Sequence, residues 1–382
     1  MRFTHSAKNK YLFISSNIKK RRMRAAMFAI AAIVLITFLS FQGAEYSATS
    51  SSQHYSSACT QTALAAEPDT YSSSADVFDV SDTPVTASQV QGVFYQSLGT
   101  SAQDIATAFA GIPGDAAVTA FSLAEETAEE LTSEQLESIE SAISDIGAEC
   151  AFVMVDAQTG QGIQYNSSSL LYGASSAKAW YGLYLAQLAD EGSISLEDSV
   201  YCYGTDYPTS GTWSDPYCVG ALLENTLLYS DNSAYIALRD TYDWDGFTQW
   251  LADMDINQNI VLDQSYYPFL TAQSSVQIWA NIYEYINSDA ENAAWLKSLL
   301  SSTEVSFLRD ALDESSTAAT VFNKAGWDSA SSYDWYQAYL DTLCDSGIVQ
   351  VGGHTYFVSA IANIGEGEEN TALLENLIAA LF

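Results

Sequence analysis

The chain is predicted to fold as an α/β sandwich whose one main sheet is completed by segments from both ends of the domain. Three observations carry that expectation. Strand-like stretches come early, "CAFVMVD" and "GIQYN"; a succession of amphipathic helical patterns comes next; and "ATVFNKAGW", "GIVQVGG" and "HTYFVSAIANI" return to strand character before a closing helix, "NTALLENLIAALF". With 382 residues, 48% of them hydrophobic, and 24 Tyr, 16 Phe and 8 Trp, the chain has the material for a sizeable core.

Eight of the 13 Lys and Arg precede residue 25, and no acidic residue precedes Glu45. This basic stretch, residues 1–24, leads into "AAMFAIAAIVLITFLSF" at 25–41, an apolar run broken only by Thr37 and Ser40. The pattern predicts a membrane signal-anchor over residues 25–44, with a cleaved signal peptide as the alternative, and the positive flank directs the remainder of the chain to the outside. Residues 45–92, rich in Ser, Ala and Thr and without period, are expected to be a linker. Residues 93–130 are expected to hold short helices on either side of the Pro113-Gly114 turn. Residues 131–382 are expected to form the main folded domain. Beyond residue 24 only Lys178, Arg239, Lys297, Arg309 and Lys324 oppose 47 acidic residues, which argues against nucleic acid as a partner.

Organised structure should start with "TSEQLESIESAISDIG", where Thr132 and Gln135 form a capping box and Gly147 ends the helix. A hairpin through the Gln158–Gly160 turn comes next. Apolar residues at Ala177, Trp180, Tyr181, Tyr184, Leu185 and Leu188 then keep helical period as far as Gly192. Asp215 as N-cap with Pro216 at the first position predicts a further helix, ending at the polar "SDN" of residues 230–232. The five cysteines, Cys59, Cys150, Cys202, Cys218 and Cys344, leave at least one unpaired within the chain. A bridge between Cys202 and Cys218 across their turn-rich loop is expected, and Cys150 with Cys344 is left open. No zinc spacing occurs, and no metal is predicted.

Three short motifs carry the chemistry. Ser175 and Lys178 give S-x-x-K at a helix start; Ser230, Asp231 and Asn232 give S-D-N after a helix; Lys324, Ala325 and Gly326 give K-x-G on a late strand. A serine hydroxyl needs a base, and residues three apart on a helix share a face, so Lys178 can reach Ser175. A lysine serves as base only without its proton, which burial and a second cation, Lys324, would promote. A Ser-His-Asp triad fails on inventory, since His354 is the only histidine after residue 54 and belongs to a hairpin turn, and no G-x-S-x-G elbow occurs.

In kind and order these motifs resemble those of the serine β-lactamase and penicillin-binding protein superfamily, its class A branch most of all, over residues 130–382. The resemblance implies a three-layer sandwich with an antiparallel sheet and an all-helical subdomain. It implies Ser175 as nucleophile, Lys178 as base and Ser230 as proton relay to the leaving nitrogen. Asn232 would hold a substrate amide carbonyl, and Lys324 would attract a substrate carboxylate, beside Ala325 and Gly326. The backbone N–H groups of Ser175 and Trp327 would form the oxyanion hole. No cofactor is implied.

Two departures qualify it. The stretch "NIVLDQSYYPFLTAQSSV" lacks the loop glutamate with which class A enzymes hydrolyse the acyl-enzyme, and its Asp263 is expected to be a solvated turn residue rather than a replacement. Ala325 replaces the usual Thr or Ser, a loss of about 1 to 3 kcal/mol for a hydrogen bond to a charged group. The expected function is that of a membrane-attached serine hydrolase acylated by β-lactams or D-alanyl-peptide-like amides, with slow release. A penicillin-binding or D-alanyl-D-alanine peptidase-like enzyme and a non-catalytic binding domain of the same fold are the alternatives.

Overall fold

The structure, a computed structural model, describes residues 116–123, 127–204, 213–242, 244–254, 256, 266–314, 318–329 and 340–382. The basic stretch, the apolar run at 25–41, the linker, Cys59 and Asp263 lie outside them. No helix among the described residues is long and apolar enough to cross a membrane.

In chain order the elements are β1 (Thr119–Ser122), α1 (Ser133–Ile146), β2 (Cys150–Asp156), β3 (Gln161–Tyr165), β4 (Leu171–Tyr172), a 3-10 turn (Ala174–Ser176) and α2 (Ala177–Asp190). The hairpin strands β5 (Ser199–Tyr201) and β6 (Pro216–Cys218) precede α3 (Val219–Leu228), α4 (Asn232–Thr241) and α5 (Trp244–Asp253). Then come β7 (Phe269–Leu270), α6 (Ala272–Ile286), α7 (Ala293–Ser301), α8 (Phe307–Glu314), β8 (Ala319–Asp328), β9 (Thr342–Val351), β10 (His354–Ala362) and α9 (Glu368–Leu381).

The main sheet has the order β1-β3-β2-β10-β9-β8 and is antiparallel throughout. Early strands thus pair directly with late ones, β2 with β10, as the strand pattern of the sequence predicts. Side chains alternate across the sheet. One face packs α1, α8 and α9 over Ile139, Phe152, Val321, Val349, Val358 and Leu377. The other packs α6 and the remaining helices over Val153, Phe322, Cys344, Ile348 and Phe357. Helix α6 is buried along nearly its whole length between the sheet and the outer helices, its polar Gln273, Ser274, Ser275 and Gln277 included. The capping box at Thr132 forms, with Gln135 N–H donating to Thr132 Oγ1 at 3.2 Å and Thr132 N–H to Gln135 Oε1 at 3.1 Å. Gly147 ends α1 with φ +62°.

Three expectations are corrected. Residues 119–122, expected within a helical region, form the edge strand β1 against β3, because Phe121 packs on one face of the sheet while Val118 and Ala120 pack on the other. Residues 216–218 are strand rather than the first helical turn, since Ser199 captures Cys218 and Tyr201 captures Pro216 in a ladder. Helix α3 therefore begins at Val219, its leading N–H groups taken by Asp198 O and Leu196 O. Finally, Cys202 holds a free thiol, so no bridge to Cys218 exists, and Cys150 and Cys344 are also free. Those two lie on opposite faces of the sheet with β10 between their strands, which rules out a bond between them.

Candidate active site

The short ladder of β4 with β7 delivers the chain to the serine turn, and Gly173 N–H is fixed on Pro268 O at 2.9 Å. Ala174 is then forced to φ +40°, a conformation that a residue with a Cβ adopts only when its surroundings impose it. Here strand β8 imposes it. A Cβ on Gly326 would lie 2.5 Å from Gly173 O, 2.8 Å from Ser176 N and 2.9 Å from Cys344 Sγ, so only glycine lets the strand press against the turn. Ser176 Oγ donates to Gly173 O at 2.7 Å and completes the clamp. Ser175 sits on this turn, directly ahead of α2, with 9% of its surface exposed.

Lys178, the second residue of α2 and one turn beyond Ser175, is fully buried. Its Nζ donates to Ser230 O at 2.6 Å, to Ser230 Oγ at 3.2 Å and to Asn232 Oδ1 at 2.7 Å. Among the described residues it makes no hydrogen bond to Ser175. Lys324, on β8, donates to the same Ser230 Oγ at 3.0 Å and to Ala325 O at 2.8 Å. Ser230, at φ +56°, thus lies between the two lysines. Burial pushes the Lys178 ammonium well below the ordinary lysine range, the charge of Lys324 pushes it further, and Asp231 opposes both. Burial also brings Lys324 down to about 8, against the pull of Asp345.

Asp231 caps α4 by accepting from Ala234 N–H at 2.8 Å, and Trp213 Nε1–H donates to its other oxygen at 3.1 Å. Capping swings Asn232 to the first position of α4, beside Lys178. Of the K-x-G stretch, Lys324 and Gly326 face the serine turn. Ala325 is fully buried among the apolar side chains on the opposite face of the sheet. Trp327 packs at the edge of that cluster, with its ring centroid 5.5 Å from Lys324 Nζ. His354 stands apart, hydrogen-bonded through Nδ1 to Asp156 Oδ2 at 2.8 Å. No group of three or more His, Cys, Asp or Glu among the described residues is arranged to hold a metal ion.

Two neighbours were not foreseen from the sequence. Tyr267 OH donates to Asn232 Oδ1 at 2.6 Å, and Lys178 Nζ stands 5.6 Å from its ring centroid. As one of 24 tyrosines, it carries no distinguishing signal. Asp345 lies opposite Ala325 in the ladder, fully buried, accepting from Asn323 Nδ2 at 2.8 and 2.9 Å and from the N–H groups of Leu308 and Ser346. It makes no ion pair among the described residues, and burial raises its carboxyl to about 6. A lone acid inside "LCDSGIV" is a signal that the sequence does contain.

A sheet closed by both ends of the domain, with a serine turn clamped between it and a helical layer, defines the class: a β-lactamase-like serine hydrolase fold. The chain belongs to the beta-lactamase enzyme family, whose sequence model matches residues 133–381. Solved structures agree on the fold. The TLA-3 extended-spectrum beta-lactamase is 14% identical, with a TM-score of 0.56 over 65% of this chain and 98% of that one. A beta-lactamase from Chitinophaga pinensis is 14% identical, with a TM-score of 0.56 over 65% and 96%. PBP-A is 13% identical, with a TM-score of 0.55 over 66% and 96%. No curated protein matches the chain.

Proposed function

We propose that the protein is an outward-facing, membrane-attached serine hydrolase that forms an acyl-enzyme at Ser175 with β-lactams or D-alanyl-peptide-like amides and releases it slowly. The observation that carries this reading is the convergence of Lys178 and Lys324 on Ser230 Oγ, at 3.2 and 3.0 Å, beside the clamped Ser175 turn. Two buried lysine amines on one hydroxyl are costly to fold around, and an acyl-transfer site is what they would serve.

In the proposed reaction Ser175 Oγ attacks the carbonyl carbon and its proton passes to the unprotonated Lys178 amine. The oxyanion is held by the N–H groups of Ser175 and Trp327. A hydroxyl has two lone pairs and one proton. With its lone pairs engaged by the two lysines, Ser230 directs its proton outward to the departing nitrogen and is replenished from Lys178, while Lys324 holds the substrate carboxylate. Collapse breaks the C–N bond and leaves a serine ester and a neutral amine that carries the proton taken from Ser175, so the proton count closes.

Slow release is supported by the stretch 259–276, which contains no glutamate to activate water. It favours a penicillin-binding or peptidase-like enzyme over a rapid β-lactamase. A solved PBP-A variant, described as an acyl-enzyme complex with penicillin G, belongs to the same fold. The basic residues ahead of the apolar run at 25–41 support attachment to a membrane.

The test is to incubate the protein with a fluorescent penicillin and a chromogenic cephalosporin, beside Ser175→Ala. Stable labelling that the substitution abolishes, without colour, is the expected result. Serine-dependent colour would instead establish rapid turnover, and neither signal would leave a binding domain of the same fold.

A further inference from the structure

We propose that Tyr267 is a positioning residue that locks the side-chain amide of Asn232 and, through it, the Lys178 amine. The inference rests on the acyl-transfer reading above and extends it to a residue that the motifs do not contain. A terminal amide left to itself can turn over, exchanging its acceptor for its donors. In this site Asn232 Oδ1 accepts from Tyr267 OH at 2.6 Å and from Lys178 Nζ at 2.7 Å, so two donors hold the oxygen inward and the planar amide turns its nitrogen to the other side.

The phenol is itself held from both flanks. On one, Tyr266 O accepts from Tyr235 OH at 2.9 Å and from Arg239 Nη1 at 3.4 Å, and Arg239 Nη1 also donates to Tyr235 OH at 2.7 Å. Both residues belong to α4, the helix that begins with Asn232. On the other flank, Pro268 O accepts from Gly173 N–H, which leads into the Ser175 turn. The peptide units around Tyr267 are therefore tied to the two elements whose relation matters. Its ring lies against that of Tyr235, with centroids 5.6 Å apart, and the two rings line the pocket of the Lys178 ammonium at 5.6 and 5.5 Å. This places Arg239, a fully buried cation, in a brace that ends at the Tyr267 hydroxyl.

The substitution Tyr267→Phe removes the hydroxyl and keeps the ring. We expect the rate constant for acylation by fluorescent penicillin to fall about five- to tenfold, the worth of one neutral hydrogen bond, with the melting temperature lowered by no more than a few degrees. The loss should vanish when Tyr267→Phe is introduced into Asn232→Ala, because the residue acts through that amide. Tyr235→Phe, which frees one flank of the brace, should slow acylation to a smaller extent and should also be silent in Asn232→Ala. Wild-type rates in Tyr267→Phe, or an undiminished loss in the double variant, would overturn the assignment alone. Failure of the wild type to label at Ser175 would overturn it together with the acyl-transfer reading.

Discussion

Lys324 is the residue whose charge is most finely placed. Burial favours the neutral amine, Asp345 across the strand favours the ammonium, and the balance falls at about 8. If this ammonium holds the carboxylate of the substrate, kcat/KM for acylation falls as pH rises through about 8, where the folded protein gives up that charge. Arginine does not lose its proton in this range, so Lys324→Arg should carry the alkaline limb upward by more than about one pH unit, at a lower plateau imposed by the larger fork. A series of stopped-flow labelling rates against pH checks both statements. Ala325, by contrast, faces the side of the sheet that carries α8 and α9, and the alternation of the strand explains why a hydroxyl there is dispensable for packing around Lys324.

At the scale of elements, the contact between β8 and the serine turn decides whether the site exists. Gly326→Ala sets a methyl group against Gly173 O, Ser176 N and Cys344 Sγ, none of which can swing aside as a flexible side chain would. The expected result is a loss of about 1 to 3 kcal/mol in urea unfolding, together with slower acylation as the Ser175 turn is displaced. Much of this level was legible in the sequence. The capping box at Thr132, the helical period after Ala177 and the strand character of "ATVFNKAGW" are local signals, and local signals survive into the fold. The meeting of Lys178, Ser230, Asn232 and Lys324 was legible too, from three motifs taken together. What was not legible depends on partners distant in sequence. Residues 119–122 become strand only because β3 offers a free edge, Pro216 because Tyr201 lies opposite, and Tyr267 reaches Asn232 only because flanking carbonyls are tied to α4 and to Gly173.

For the whole molecule the buried lysines are a load that the rest of the fold carries. Proton counts give its sign. Between about 8 and the ordinary value of 10.5, the unfolded chain keeps the Lys324 proton and the folded protein releases it, so stability rises with pH across that window. The slope approaches about 1.4 kcal/mol per pH unit for each such group. Lys324→Met should flatten this rise, a result that urea titrations at successive alkaline pH values read directly. The load is borne by two packed faces of one sheet, and that sheet joins both ends of the domain, with β2 beside β10. A nascent chain therefore exposes Ser175 to its surroundings long before it has anything to do with it. The turn is seated only when β8 and β9 arrive, and those strands are held by β10, far downstream of Ser175 in the chain. Pairings so distant along the chain form late and as a unit. A polypeptide interrupted anywhere before β10 carries the serine without the means to use it, so reactivity would appear only once that strand has been made.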